Sequence, residues 1–220
     1  HTLPSFIPDM YLVLPMLYLS VAWPAHPVKV PGKQFSIVAL PDTQDYTAWH
    51  RDIFEEQTWW ICECQQRENI LFVSQLGDIV YRENKDNQWR AAQSALDTLE
   101  ECSIPYAVLP GNHDEVVDGG TYYHRYDEYF PVSALKPDGS YPNGTTHNSY
   151  HLFTIGNVHG FLVHYLFMQL EYLPDAPDIS AVMDWADSVL TTYSTYNAII
   201  STHYAGGDCP GSSITTQIRT

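Results

Sequence analysis

Leu109-Pro110-Gly111-Asn112-His113-Asp114 is the stretch on which the reading of this chain turns. The apolar run Tyr106-Ala107-Val108-Leu109 leads into it and reads as a buried strand bounded by turn formers. The strand stops at Pro110-Gly111, and an amide oxygen, an imidazole and a carboxylate follow at once. A buried strand that delivers a metal ligand, a proton donor and an orienting acid to its carboxyl end has the makings of a site. The plainer reading of the same letters is an Asn/Asp-rich turn after a strand. What the other strands deliver decides between the two.

Upstream, Phe35-Ser36-Ile37-Val38-Ala39-Leu40 reads as a buried strand that ends in Pro41-Asp42-Thr43-Gln44. From about Thr47 to Arg67 the pattern turns helical, with Ile53, Gln57, Trp60 and Cys64 on one face. Ile70-Leu71-Phe72-Val73 begins a second strand, which ends at Leu76-Gly77-Asp78. Asp86 or Asn87 can cap a second helix with Trp89, Ala92, Leu96 and Leu99 along one side. The pattern is βαβαβ. Its strands are continuous apolar runs, as expected of a parallel sheet covered on both faces. Asp42, Asp78 and Asn112 recur at intervals of about one βαβ unit. All three therefore fall at the carboxyl edge of neighbouring strands, where open α/β sheets bind ligands. Two carboxylates and a carboxamide converging there make a hard, oxygen-rich metal site.

Downstream, residues 115–146 carry no clean periodicity and read as a long loop region. Tyr150-His151-Leu152-Phe153 and Gly160-Phe161-Leu162-Val163 flank a turn at Gly156-Asn157 and read as a hairpin. Asp178 can cap a third helix bearing Val182, Trp185, Val189 and Leu190, and Ala198-Ile199-Ile200 is a last short strand that delivers His203. The remaining histidines (His26, His50, His124, His147, His151, His159 and His164) read as structural, His124 being the one close to the central motif.

The chain has 220 residues and a formal net charge of -16. One domain is the default at this length. The acidic balance excludes a surface built to grip a nucleic-acid backbone, whereas a small phosphorylated substrate can bind where cations supply local positive charge. Cys62 and Cys64 lie on a helical pattern. One of them can bridge to Cys102, and buried thiols are the alternative. Met10 to Ala22 is apolar but short for a membrane span, and it resembles a signal-peptide core. The expectation is thus residues 1–33 as upstream sequence, a signal-like segment and a linker, residues 34–220 as one domain, and a secreted protein. Asn143-Gly144-Thr145 is a glycosylation sequon in a Pro/Gly-rich loop.

Asp42, Gly77-Asp78, Gly111-Asn112-His113-Asp114 and His203, in that order after successive strands, resemble the calcineurin-like metallophosphoesterase superfamily over about Phe35 to His203. Pro41-Asp42-Thr43-Gln44 resembles a bacterial and fungal subgroup carrying that tetrapeptide at the first motif. The resemblance implies an α/β fold of the αββα sandwich type, two stacked mixed sheets flanked by helices, with two divalent metal ions at the sheet edge. It implies a phosphoric ester hydrolase acting on a phosphomonoester or phosphodiester with a metal-bridging hydroxide. By the same resemblance Asp42 binds the first metal, Asp78 bridges both, and Asn112 and His203 bind the second. His113 contacts the phosphate as general acid or transition-state stabiliser, and Asp114 orients His113.

Two departures modify this. Gln44 stands where the superfamily has a histidine. A carboxamide oxygen is a harder ligand, so Mn or Mg is expected at the first site over Fe or Zn. The family also closes its site with a Gly-His-x-His element, and Ala205 to Thr220 contains no histidine. The reading is therefore a C-terminally incomplete chain lacking late strands of the second sheet, with weakened activity. The alternative function is a catalytically inactive member of the same fold, acting as a secreted ligand- or partner-binding module. Oligomeric state has no signature in the sequence.

Overall fold

In the computed structural model, residues 11–12, 35–115, 123–156, 162–171 and 179–203 are described. They form two four-stranded sheets. In the first, β2 (Ser36–Leu40), β3 (Ile70–Gln75) and β4 (Tyr106–Val108) run parallel, and β1 (Tyr11–Leu12) pairs antiparallel with β2. In the second, β5 (Gly139–Tyr141), β6 (Asn148–Gly156) and β7 (Leu162–Leu170) are antiparallel, and β8 (Asn197–Thr202) lies parallel to β7. Both sheets are mixed, as expected. The expected hairpin is β6–β7; β6 extends past the expected run at both ends and β7 continues to Leu170.

Three apolar layers hold the sandwich. Phe35, just before β2, and Leu71, Phe72 and Ala107 of the first sheet meet Ile155 and Phe167 of the second. On the first sheet's outer face, Val38, Leu40, Ile70, Val73 and Val108 pack with helices α1 (Gln44–Trp49), α2 (Arg51–Glu68), α3 (Asp86–Glu101) and α4 (His124–Tyr129). On the second sheet's outer face, Leu166, Met168 and Leu170 meet Val182, Ala186 and Val189 of α6 (Ile179–Thr192). Every residue of β3 is buried, which is why its sequence is an unbroken apolar run until Ser74-Gln75.

Several local expectations need correction. The first predicted helix is two, because the chain breaks at His50 (φ -138°, ψ 50°). The face of α2 that turns inward carries Phe54, Gln57, Thr58, Ile61 and Cys64, while Ile53 is exposed. The buried stripe is thus rotated by about one residue from the expected one. Neither Asp86 nor Asn87 caps α3. Lys85 stands at the cap position, and the Asp86 carboxylate pairs with Arg90 and Arg125. The α3 face of Trp89, Ala92, Leu96 and Leu99 is buried as read. The stretch read as a long loop contains α4, α5 (Val132–Leu135) and β5.

A disulfide joins Cys62 of α2 to Cys102 after α3, and Cys64 is a buried thiol, so the open choice between bridge and thiols resolves into both. No helix among the described residues is long and apolar enough to cross a membrane. The Gly156-Asn157 turn beyond Gly156, Asp178, His26, His159, Cys209, Ala205 to Thr220 and the signal-like segment beyond Tyr11–Leu12 lie outside the described residues.

His151 on β6 is buried between the sheets, its ring 5.1 Å from that of Phe72. Burial pushes its imidazole down to about 3. The folded state holds it neutral, whereas the unfolded chain protonates it below about 6.5. Its share of stability is therefore intact above that pH and drains away as pH falls. Between pH 7 and pH 5 this loss is about 2 kcal/mol. Urea unfolding at the two pH values should show a drop smaller by that amount in His151→Leu. Equal drops in both proteins would remove His151 as the acid-sensitive group.

Candidate metal centre

The site forms where β2, β3, β4 and β8 end. Each strand stops because a polar or glycine-containing turn follows it, and each turn contributes one side chain. Asp42 follows β2, Asp78 follows β3, Asn112 follows β4 and His203 follows β8. Ligand atoms of Asp42, Asp78 and His203 all lie within 4.8 Å of one another.

Asp78 is at the centre. It is buried and has φ +49°, a left-handed conformation that few non-glycine residues adopt. Its Oδ1 accepts from the backbone N–H of His113 at 2.9 Å, and its Oδ2 accepts from Gln44 Nε2 at 3.1 Å. Gln75, a polar residue at the end of an apolar strand, fixes the turn before it. The Gln75 side chain donates to the Gly77 carbonyl at 2.8 Å and accepts the Gly77 N–H at 2.9 Å. Gly77 has φ +93°, and a Cβ there would lie 2.7 Å from Cβ and Cγ of His203. Glycine thus allows both the turn and the close approach of the histidine.

His203 Nδ1 donates to the Leu76 carbonyl at 2.9 Å. A carbonyl only accepts, so Nδ1 carries a proton and Nε2 is the ring atom that faces the site. Nε2 lies 3.2 Å from Asn112 Oδ1 and 3.3 Å from Asp78 Oδ1, and Nδ1 is 3.6 Å from Asp42 Oδ1. Burial raises the Asp42 carboxyl above its ordinary value. His203 opposes that shift and the Asp78 carboxylate adds to it.

The donor set fits a divalent cation. Two carboxylates, a carboxamide and an imidazole anchored through Nδ1 are ordinary ligands. Oxygen and nitrogen donors sharing one ion stand about 3 Å apart, because each bond is roughly 2.0–2.2 Å, and the contacts around His203 Nε2 are of that size. Gln44 Oε1 is buried and accepts no hydrogen bond. A buried acceptor without a donor is costly, and a cation is a partner it can take.

His113 and Asp114 behave differently from each other. His113 Nδ1 donates to the Tyr81 carbonyl at 3.0 Å, which directs Nε2 away from that carbonyl. Asp114 does not hydrogen-bond the His113 ring but reaches it through backbone. The fully buried Asp114 carboxylate instead accepts the backbone N–H groups of Ile79, Val80 and Gly111 at 2.8–3.0 Å. Burial pushes its carboxyl up to about 7 although the three amides pull the other way. Asp114 ties the turn after β3 to the turn after β4, and its hold on His113 runs through Val80 and Tyr81.

Sequence reasoning missed the Leu76 and Tyr81 carbonyls, which carry no residue signature. It also missed Gln75, for which a signal existed, namely a polar residue closing a buried apolar run. Of the other histidines, His147 pairs with Asp127 and His164 bonds Thr154. None of those described joins the metal group.

The chain is thus an α/β protein of the αββα sandwich type with a candidate metal centre of carboxylates and a histidine at its strand ends. The family model for calcineurin-like phosphoesterases matches residues 35–205, and the chain belongs to that family. Among curated proteins it is similar to YvnB of Bacillus subtilis strain 168, itself uncharacterised, with 35% identity over 122 residues. The match covers 53% of this chain and 9% of YvnB, so the chain spans less than a tenth of that relative. Among solved structures it is similar to TT1561 of Thermus thermophilus, at TM-score 0.49 and 14% identity, covering 83% of this chain and 75% of that one. It is also similar to the purple acid phosphatase PPD1 from yellow lupin seeds, at TM-score 0.39 and 13% identity, covering 71% of this chain and 30% of that one.

Proposed function

We propose that the protein is a metal-dependent phosphoesterase that hydrolyses a small phosphomonoester or phosphodiester at this centre. The observation that carries the proposal is the convergence of Asp42, Asp78 and His203 ligand atoms within 4.8 Å, beside a histidine whose Nε2 is turned from its own anchor. Asp42 and Gln44 would hold a first cation, Asn112 and His203 a second, and Asp78 would stand between them. When bound, such cations supply Lewis-acid polarisation of phosphoryl oxygen and activation of water. His203 keeps its Nδ1 proton on Leu76, which reserves Nε2 for a ligand role. His113 keeps its Nδ1 proton on Tyr81 and gives a second proton from Nε2 to the departing oxygen. Asp114 keeps the two strand-end turns in register.

The test is hydrolysis of 4-nitrophenyl phosphate and bis(4-nitrophenyl) phosphate by the purified chain with Mn, Mg, Zn or Fe. Turnover of one ester and not the other separates monoesterase from diesterase. No turnover with any of the four metals would leave a ligand-binding member of the family as the working description.

Gln44 carries the metal preference. Its free oxygen is a hard donor, which favours Mn or Mg at the first position. Exchange for imidazole in Gln44→His should raise the Zn-to-Mn affinity ratio by about tenfold. Competition titration with a chromogenic chelator reads that ratio. An unchanged ratio would take Gln44 out of the ligand set.

We further infer that the protein works in an oxidising compartment outside the cytoplasm. The Cys62–Cys102 disulfide and the exposed Asn143 of the sequon support this. The net charge of -16 supports a small substrate rather than a nucleic-acid backbone.

A further inference from the structure

Beside the centre stands a pair of aromatic rings that the chemistry described so far does not use. Trp49, the last residue of α1, is 60% exposed, an unusual state for so large an apolar ring. Its ring centroid is 4.7 Å from that of Tyr81, and the two planes meet at 59°. Tyr81 is in turn 5.6 Å from the His113 ring. The three rings therefore run in sequence outward from the proton donor, and the guanidinium carbon of Arg82 sits 5.9 Å from the Tyr81 ring centre.

The pair is held firmly. Thr43 and Thr47 of the α1 region both donate their hydroxyls to the Ile79 carbonyl, at 3.3 and 3.1 Å. The Thr43 N–H donates to the Asp78 carbonyl at 3.1 Å. Trp49 is two residues past one of these anchors and Tyr81 two residues past the other. Tyr81 has two roles in one residue: its carbonyl sets His113, and its ring begins the aromatic ledge.

The position of the ledge gives it a meaning. If His113 protonates the departing oxygen, the alcohol half of the ester lies on the His113 side of phosphorus, next to Tyr81 and Trp49. Two aromatic faces at an angle make a corner for a flat, apolar-faced group, and Arg82 adds a cation to the same edge. We propose that Trp49 and Tyr81 form the leaving-group subsite, and that the substrate is a phosphate ester whose alcohol carries a planar aromatic group. The proposal rests on the phosphoesterase reading above and adds the substrate class to it.

The experiment compares esters that differ only in the flat group. Adenosine 5′-monophosphate is paired with ribose 5-phosphate, and 2-(1-naphthyl)ethyl phosphate with 2-cyclohexylethyl phosphate. Within each pair the leaving alkoxide is alike, so intrinsic reactivity is matched. The expected result is a kcat/KM about tenfold higher for the aromatic member, in line with base-on-aromatic stacking. Trp49→Leu should abolish the difference, and Trp59→Leu, which removes an exposed tryptophan from α2, should retain it. A preference within the first pair alone identifies a nucleobase, and within the second alone an aryl group. Equal rates within both pairs, or a preference that survives in Trp49→Leu, would overturn the proposal while leaving the phosphoesterase reading intact.

A second readout needs no turnover. The indole N–H resonance of Trp49, identified by its disappearance in Trp49→Leu, should shift on addition of adenosine or 2-(1-naphthyl)ethanol. If the chain hydrolyses nothing and that resonance still moves, the phosphoesterase reading fails and the aromatic subsite stands. If neither alcohol moves it, the subsite is refuted whatever the activity.

Discussion

Replacing His113 by Gln lowers turnover of an alkyl phosphate by about 10²–10⁴-fold, the span over which a positioned general acid acts. The same variant loses far less on 4-nitrophenyl phosphate, whose phenolate departs without a proton. The reason lies in the anchoring of the ring. Tyr81 accepts the Nδ1 proton at 3.0 Å, so Nε2 is the ring atom left to carry a proton to the departing oxygen. After transfer the imidazole is neutral and its bond to Tyr81 persists, so nothing in the loop must move. Glutamine can keep a donor near that carbonyl but cannot deliver a proton. Rates on the two esters, measured with the metal content of each preparation, decide the matter. Equal losses on both would make His113 a charge stabiliser rather than an acid, and undiminished turnover of both would remove it from the chemistry.

Asp114 has a separate part in this. Its oxygens are fully engaged by the N–H groups of Ile79, Val80 and Gly111, and no oxygen is turned to the His113 ring. The residue acts on backbone. By holding Ile79 and Val80 it fixes where the next carbonyl, that of Tyr81, can meet Nδ1. This also explains how a carboxyl can be wholly buried: its partners are amides that have no other acceptor at the strand end.

The three neighbouring parallel strands of the first sheet and the strand-end residues were legible because short apolar runs stop abruptly at polar turns, most plainly at the wholly buried β3. Asp42, Asp78, Asn112 and His203 stand at those stops, and the structure brings them together. The inward face of α2 was not legible, since Ile53-Phe54 and Trp60-Ile61 are adjacent apolar pairs that mark two overlapping stripes. The structure buries the one with Phe54 and Ile61. Helices α4 and α5 were hidden for another reason. At six and four residues they show no periodicity, and helices so short depend on tertiary bonds. Tyr126 Oη donates to the Val108 carbonyl at 2.7 Å, and Thr146 Oγ1 to that of Phe130 at 2.8 Å. How Asp114 would act on His113 was not legible, because its partners include the backbone of Ile79 and Val80, about one βαβ unit away in sequence. Residue type reports what a side chain can bond, and the fold decides which backbone it meets.

Gly111→Ala tests whether the centre depends on the packing of two turns as much as on its ligands. A Cβ at Gly111 would lie 2.3 Å from both the backbone nitrogen and Oδ1 of Asp78. The first of these is backbone, so no side-chain rotation relieves the clash. The turn after β3 must shift, and with it the residue proposed to stand between the cations. Overpacking of this kind costs about 3 kcal/mol, which lowers the melting midpoint of a chain this size by about 6–12 °C. The sharper signature is the response to metal. Manganese at about 100 times its Kd stabilises the native protein by about 2.7 kcal/mol, a rise of about 5–11 °C. If displacement of Asp78 weakens binding by about 100-fold, the same manganese stabilises the variant by only about 0.4 kcal/mol, near 1 °C. Gly144→Ala separates the two effects. Gly144 has φ +92° but nothing within 4 Å of a Cβ, so alanine there strains the backbone and leaves the metal response at the native size. Thermal melts of the three proteins with and without manganese carry the whole comparison. A full manganese shift in Gly111→Ala would mean that the centre tolerates movement of Asp78, and the bridging role assigned to that carboxylate would have to be given up.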